Sequence, residues 1–450
     1  MKAHLLLPII SVLFLFSCPR EEEFEPTVPT SDCPLSNSEF RIVKPLNDGQ
    51  AYPFASANPT EADPDLDPLI NYLGNTPFVG LGEGTHGTAE FYQMKDKIFR
   101  RLVQEHDFNA MIFELPWGQA LSVNDFVRDG IGSASTSVAQ TGYWTYNTQE
   151  VQDLVQWMHD YNQGQVEADK IYFVGCDVQG DHFRRELEII QTYLAQYAPE
   201  VEEDIMAHYA QLPTHDLLDY VNASSDLHNT NSAGAQAAYA QIEQERDNWT
   251  ALSGEFAYEL ALMAAHVIER REFTYRTQSY GASRDFLMAF YSEWWQRILG
   301  ADAKVAIWAH NVHVMDADYF NGNFMGTYLR SRQNTNYKNV GFSFGKGSAN
   351  AVLVDENFQT LQGVQSQSIP QVECETVNAL LTGVDGDQHY LIFEELSGET
   401  ADYFEAQQQV LQFGAVFNYD HVQRYISTYR LSSLFDVLIH FDETQASELR

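Results

Sequence analysis

The chain predicts an α/β fold: a largely parallel sheet flanked by helices, with a large helical insertion or lid. Three observations lead there. Short apolar runs of strand character recur along the chain, helical patterns of 3.6-residue period separate several of them, and one long central stretch reads as helix throughout. The 450 residues are 44% hydrophobic and 20% charged, a globular composition with ample material for a core.

In chain order, residues 1–17 read as a signal peptide. Lys2 supplies a positive charge, and the apolar run Leu5 to Phe16, broken by Pro8, is too short to span a bilayer. Leu15-Phe16-Ser17-Cys18 resembles the lipobox of bacterial lipoproteins, so Cys18 is the expected lipidated N-terminus; plain secretion with Cys18 removed is the simpler alternative. Residues 18–40 carry Glu21-Glu22-Glu23 and then Pro, Ser, Thr and further acids, and they read as an acidic, flexible tether. The acidic run after the cysteine resembles the surface-export signal of lipoproteins in the Bacteroidetes lineage. The expected location is the bacterial cell envelope, at the outer membrane, with the lipid anchor as the membrane contact.

Residues 41–450 form the expected catalytic domain. Strand-like runs lie at Phe78 to Leu81, Ala110 to Glu114, Ile171 to Gly175, Val305 to Trp308, Val340 to Phe344, Tyr390 to Phe393 and Phe435 to Phe441. After the first run, Phe91, Met94, Ile98, Leu102 and Val103 share one helical face. After Trp144, the Asn147-to-Glu150 spacing offers a capping box ahead of the stripe Val151, Leu154, Val155 and Met158. From about 183 to 299 the pattern is mostly helical, as expected of an insertion or lid over the sheet.

Composition narrows the function. Against 26 Lys and Arg stand 63 Asp and Glu, and a formal charge of −37 repels phosphate backbones, which excludes nucleic acid as a partner. Beyond Cys18, only Cys33, Cys176 and Cys374 remain, without the paired spacing of a zinc ribbon or a disulfide framework.

In open α/β sheets the chemistry sits in loops after the C-terminal ends of strands. The first such loop, Gly82-Glu83-Gly84-Thr85-His86-Gly87, matches G-x-G-x-x-G. A dinucleotide is nonetheless disfavoured: Glu83 would set a carboxylate beside a pyrophosphate, and Glu114 lies 27 residues after Gly87, beyond the usual spacing for a ribose-binding acid. The loop reads better as an acid–base element. His86 lies close to a helix N-terminus, whose positive end disfavours imidazolium and leaves a ring able to accept a proton. Glu114 closes the second strand, and Trp308-Ala309-His310-Asn311-Val312-His313 closes a later one. If these strands are neighbours, Glu83, His86, Glu114, His310 and His313 converge on one crevice.

Those motifs, with Phe113-Glu114-Leu115-Pro116, Gly142-Tyr143-Trp144, Gly175-Cys176-Asp177-Val178-Gln179 and the closing segment Phe435 to Thr444, resemble the erythromycin esterase family in order along the chain. The resemblance implies a hydrolase of carboxylic ester or macrolactone bonds that requires no metal or other cofactor, with macrolide resistance as the associated role. On the matching positions His86 is the base that activates water, and Glu83, Glu114, His310 and His313 complete the site. Lys95 stands nine residues after His86, where some members have a functional arginine; it keeps the charge and loses the planar fork. Lys95, Trp144 and Arg284 are the candidate substrate-binding residues. Glu114 or Glu83 is expected to hold the His86 tautomer, and His310, His313 or Lys95 to stabilise developing negative charge. Two alternatives stay open: a metal-dependent hydrolase on the same Glu and His residues, and a surface lipoprotein that binds a ligand without turnover.

Overall fold

The structure is a computed structural model that describes residues 49–450 except 181, 214–217, 278–279, 320–321, 371–375, 383 and 385. The expected signal peptide, the tether, Cys18, Cys33 and Cys374 lie outside the described residues. No helix among the described residues is long and apolar enough to cross a membrane.

Ten strands make the main sheet: β1 (Tyr52–Pro53), β2 (Phe78–Leu81), β3 (Phe108–Pro116), β4 (Tyr172–Asp177), β5 (Lys304–Trp308), β6 (Tyr337–Val354), β7 (Thr360–Ile369), β8 (Gln388–Ile392), β9 (Val416–Phe417) and β10 (Val437–Thr444). Their spatial order is β1-β8-β10-β6-β2-β5-β3-β4, with β7 and β9 both pairing along β6. The run β10, β6, β2, β5, β3, β4 is parallel, while β8, β1 and β7 attach antiparallel. All seven strand-like runs of the sequence are strands of this sheet. The hairpin arm of β6 and β7 was not legible: Thr360–Ile369 alternates weakly, and its early residues are exposed.

Strand residues alternate between two cores, as the two-residue period requires. Val79, Leu81, Met111, Phe113, Phe173, Ala306 and Trp308 face one side, where α1 (Ala89–His106), α2 (Trp117–Asp129) and α3 (Gln149–Gln163) bury Phe91, Met94, Ile98, Val123, Val127, Val151, Leu154 and Met158. Phe78, Ile112, Val174, Cys176, Val305 and Ile307 face the other, beneath the central helices. These include α4 (Arg184–Tyr197), α5 (Ser225–Gln244), α6 (Glu255–Thr277) and α7 (Tyr280–Leu299). The insertion therefore does more than overhang the sheet: it is the layer that covers one face, and Trp295 donates from Nε1 to the Gly175 carbonyl at 3.0 Å. The cap of α3 is also shifted by one residue from the expected box. Thr148, whose hydroxyl accepts from the Val151 N–H, is the N-cap.

The chain threads β2, β3 and β4 before returning to insert β5 between β2 and β3, then places β6 on the far side of β2. This switch sets the C-terminal ends of β2, β5, β3 and β4 side by side.

Candidate active site

Two linked sets of side chains stand at that edge. The first is built on the loop after β2, where Gly82 leaves no room for a side chain: a Cβ there would lie 2.3 Å from Asn311 Oδ1. Glu83 is fully buried and accepts three hydrogen bonds. His86 Nδ1 meets Oε1 at 2.5 Å, Trp308 Nε1 donates to Oε2 at 3.1 Å, and the Lys95 ammonium donates to the same Oε2. Burial alone would raise the Glu83 carboxyl, but Lys95 and His86 outweigh it and hold it below its ordinary value. Lys95 is fully enclosed, with its ammonium 4.0 Å from the Trp308 ring centroid. Burial draws it down to about 8, opposed by Glu83, so the pair is ionic at neutral pH.

Glu83 thus fixes the His86 ring through Nδ1. Nε2 makes no hydrogen bond among the described residues, and it looks toward Gly414, where a Cβ would sit 3.5 Å away. The ring is 14% exposed and packs edge-on against His310 at 5.1 Å between centroids.

The second set is built on β3, β4, β5 and the start of α7. A register shift between Phe113 and Pro116 marks an irregularity at the end of β3, where Glu114 sits. Glu114 accepts from the Arg284 guanidinium at 2.7 Å and from the His310 backbone N–H at 2.9 Å, and its Oε1 lies 3.2 Å from His313 Nε2. Arg284 also bonds both oxygens of Asp177, the last residue of β4, with a closest approach of 2.7 Å. Asp285 meets His313 Nδ1 at 2.7 Å and accepts from the Met325 N–H at 2.9 Å. Burial opposes charge on His313, but Asp285 and Glu114 outweigh it and raise the imidazole to about 10. Burial likewise works against a charged Glu114, yet His313 and Arg284 hold it well below the carboxylate range.

His310 stands between the sets and belongs to neither charge system. Its Nε2 donates to the Phe413 carbonyl at 3.1 Å, and its Nδ1 accepts from the Val312 N–H at 3.3 Å. Burial and the neighbouring His86 hold it down to about 3, so the ring is neutral.

The five predicted side chains therefore do converge, and the geometry selects between the two carboxylates expected to hold His86. Glu83, and not Glu114, holds His86; Glu114 orients the second set. Lys95 is walled off beneath Trp308 and cannot touch a substrate, so its charge acts through Glu83. Arg284 is spent on Glu114 and Asp177. Trp144 is half-buried beside Gly87, and its Nε1 is enclosed without a hydrogen bond among the described residues. Asp177, Asp285 and Trp308 were missed as functional residues, although Asp177 and Trp308 stand in sequence motifs and Asp285 follows Arg284; their roles needed β4 and α7 beside β3, and β5 beside β2. The metal reading drew its ligands from these five groups. They are divided between separate hydrogen-bonded partners, and no three His, Cys, Asp or Glu side chains among the described residues are gathered as ligands.

Residues 103–444 match the sequence profile described as erythromycin esterase, a span that holds Glu114, Asp177, Arg284, His310 and His313 and begins after the His86 loop. Erythromycin esterase type II of Escherichia coli is 21% identical over 324 residues, covering 67% of this chain and 76% of that protein. Erythromycin esterase type I of Escherichia coli is 24% identical over 310 residues, covering 61% and 71%. A solved structure described as a succinoglycan biosynthesis protein superposes with a TM-score of 0.80 at 24% identity, over 92% of this chain and 99% of its own. A histidine-to-asparagine mutant of an erythromycin esterase, in its open conformation, superposes with a TM-score of 0.65 at 16% identity, over 88% and 98%. At those identities the solved structures share the fold. With a profile match spanning most of the sheet and the whole second set of site residues, the chain belongs to the erythromycin esterase family.

Proposed function

We propose that the protein is a hydrolase of carboxylic ester or lactone bonds in which His86 Nε2 takes a proton from the attacking water. The observation that carries this reading is the pairing of His86 Nδ1 with a buried carboxylate, while the ring is partly exposed and Nε2 has no hydrogen bond among the described residues. Glu83 fixes the tautomer that leaves Nε2 able to accept, and it stabilises the imidazolium as the proton arrives. The charged His313, reached through the Glu114 system, supplies positive potential near the developing oxyanion. A small-molecule ester or lactone is the substrate, with macrolactones among the candidates and macrolide resistance as the extension of that activity. Family membership supports the hydrolase class.

The test is a hydrolysis screen of macrolides and simple esters with wild type beside His86→Ala. Loss of the base should cost about 10²–10⁴-fold in rate; equal turnover by both proteins would remove His86 from the chemistry. Dialysis against a chelator should leave activity intact, and a loss that zinc restores would favour the metal reading.

We further propose that Cys18 is the lipidated mature N-terminus and that the tether holds the domain off the envelope membrane, because the charged start, short apolar run and Ser17-Cys18 junction occur together. One acyl chain anchors weakly, so stable attachment needs several. Mass spectrometry of membrane-extracted protein should show an acylated peptide starting at Cys18, and an unmodified start further along would refute it.

A further inference from the structure

We propose that Tyr92, Asn350 and Ser447 are positioning residues for His86 that act through the backbone of Gly87; this rests on His86 being the base. Glu83 fixes one ring nitrogen, but the direction of Nε2 also depends on where the chain holds the His86 backbone. The next residue decides that. Gly87 has φ of 75°, a left-handed conformation, and a Cβ there would lie 2.8 Å from Asn350 Cβ.

Its peptide groups are tied to three separate parts of the fold. The Gly87 N–H donates to the Tyr92 hydroxyl of α1 at 2.9 Å, and that hydroxyl donates to the Thr145 carbonyl at 2.6 Å, beside Trp144. The Gly87 carbonyl accepts from the Asn350 N–H of the β6 arm at 3.1 Å. It accepts again at 2.9 Å from the Ser447 N–H, in the segment that follows β10. Asn350 then grips that segment with its own amide, donating to the Ser447 carbonyl at 2.7 Å and to its hydroxyl at 3.1 Å. All three residues are buried. The same segment continues along the helix entrances: Gln445 accepts from the Ala89 N–H at 2.9 Å and Glu448 from the Gln149 N–H at 2.8 Å.

Gly87 is thus a junction where α1, the Trp144 loop, the β6 arm and the closing segment meet one residue from His86. None of the three positioning residues reaches the reacting atoms. Each limits the error in where Nε2 points, and misplacement on the scale of 1 Å costs about 10²-fold in rate.

The experiment compares Tyr92→Phe and Asn350→Ala in the full chain, with Asn350→Ser as the replacement if Asn350→Ala does not fold. With the best ester from the screen, kcat should fall roughly 10–100-fold while KM stays within about twofold. The same substitutions should have no further effect in a His86→Ala background. A purely structural role would lower the melting temperature and leave kcat of the folded protein unchanged, which would overturn the proposal. A fall that persists without His86 would also overturn it. Hydrogen exchange needs no substrate: amides of residues 84–88 should exchange faster in both variants while α7 does not change, and unchanged exchange at 84–88 refutes the junction. A wild type that hydrolyses no ester would instead sink the esterase reading, and exchange alone would then decide the junction.

Discussion

At the residue scale, His310 and His313 hold opposite charge states only three residues apart, set by what each ring touches. His310 meets a carbonyl and an amide N–H, which suits one neutral tautomer. His313 meets two carboxylates, whose attraction outweighs the Arg284 guanidinium 3.2 Å from Nε2 and suits the doubly protonated ring. Nitrogen-15 NMR of the imidazoles should accordingly show both His313 nitrogens protonated from pH 6 to pH 9, and a single proton on Nε2 of His310. Loss of the His313 proton below pH 8 would contradict the assignment. The Lys95–Glu83 pair is the other residue-scale test. Lys95→Met strands a buried carboxylate and should cost about 3–5 kcal/mol in urea unfolding. Adding Glu83→Gln removes that charge and should restore part of the loss; a double variant weaker than the single would show that the pair is not coupled.

At the element scale, the start of α7 is joined to the strand ends through two consecutive residues. Arg284 bridges the ends of β3 and β4, and Asp285 holds His313 and the helix entrance at Met325. Removing the guanidinium leaves Glu114 and Asp177 facing each other without their shared cation. Arg284→Met should therefore destabilise by about 3–5 kcal/mol and open the early turns of α7 to protease. Arg284→Lys should recover little, since one ammonium cannot span both carboxylates as the planar fork does. Unchanged proteolysis in Arg284→Met would mean that the apolar face of α7, with Trp294 and Trp295, holds the helix unaided.

For the whole molecule, burial of neutral imidazoles sets the response to acid. His310, His389 and His440 are held down to about 3 and His266 to about 4, in each case chiefly by burial. The unfolded chain binds these protons near pH 6.5 and the folded chain does not, so folded-state stability is complete above about 6.5 and is lost as pH falls. Each such group contributes a slope of up to about 1.4 kcal/mol per pH unit below that point. His389 isolates the effect: it is fully buried, and neither ring nitrogen has a hydrogen bond among the described residues. His389→Leu should leave the melting temperature near its wild-type value at pH 8 and raise it relative to wild type at pH 5. An equal shift at both pH values would assign the change to packing.

The seven apolar strands, the helix that follows the His86 loop, the helical character of 183–299 and the residue types of the site were legible in the sequence, because apolar period and strand-end position are local properties that neighbours do not alter. The convergence of Glu83, His86, Glu114, His310 and His313 followed from placing each at a strand's C-terminal end, conditional on strand order. What only the tertiary structure decided was partnership. Glu83 and Glu114 look alike in sequence, each a carboxylate at a strand end. Insertion of β5 beside β2 gives Glu83 the Trp308 indole, and the return of α7 gives Glu114 the Arg284 guanidinium. Lys95 reads as a cation available to a substrate until the packing of α1 encloses it. Charge state follows the same rule, since the opposite charge lies 12 positions away for Glu83 and Lys95 but 170 for Glu114 and Arg284, and only the closed fold brings each pair within hydrogen-bond distance and buries it.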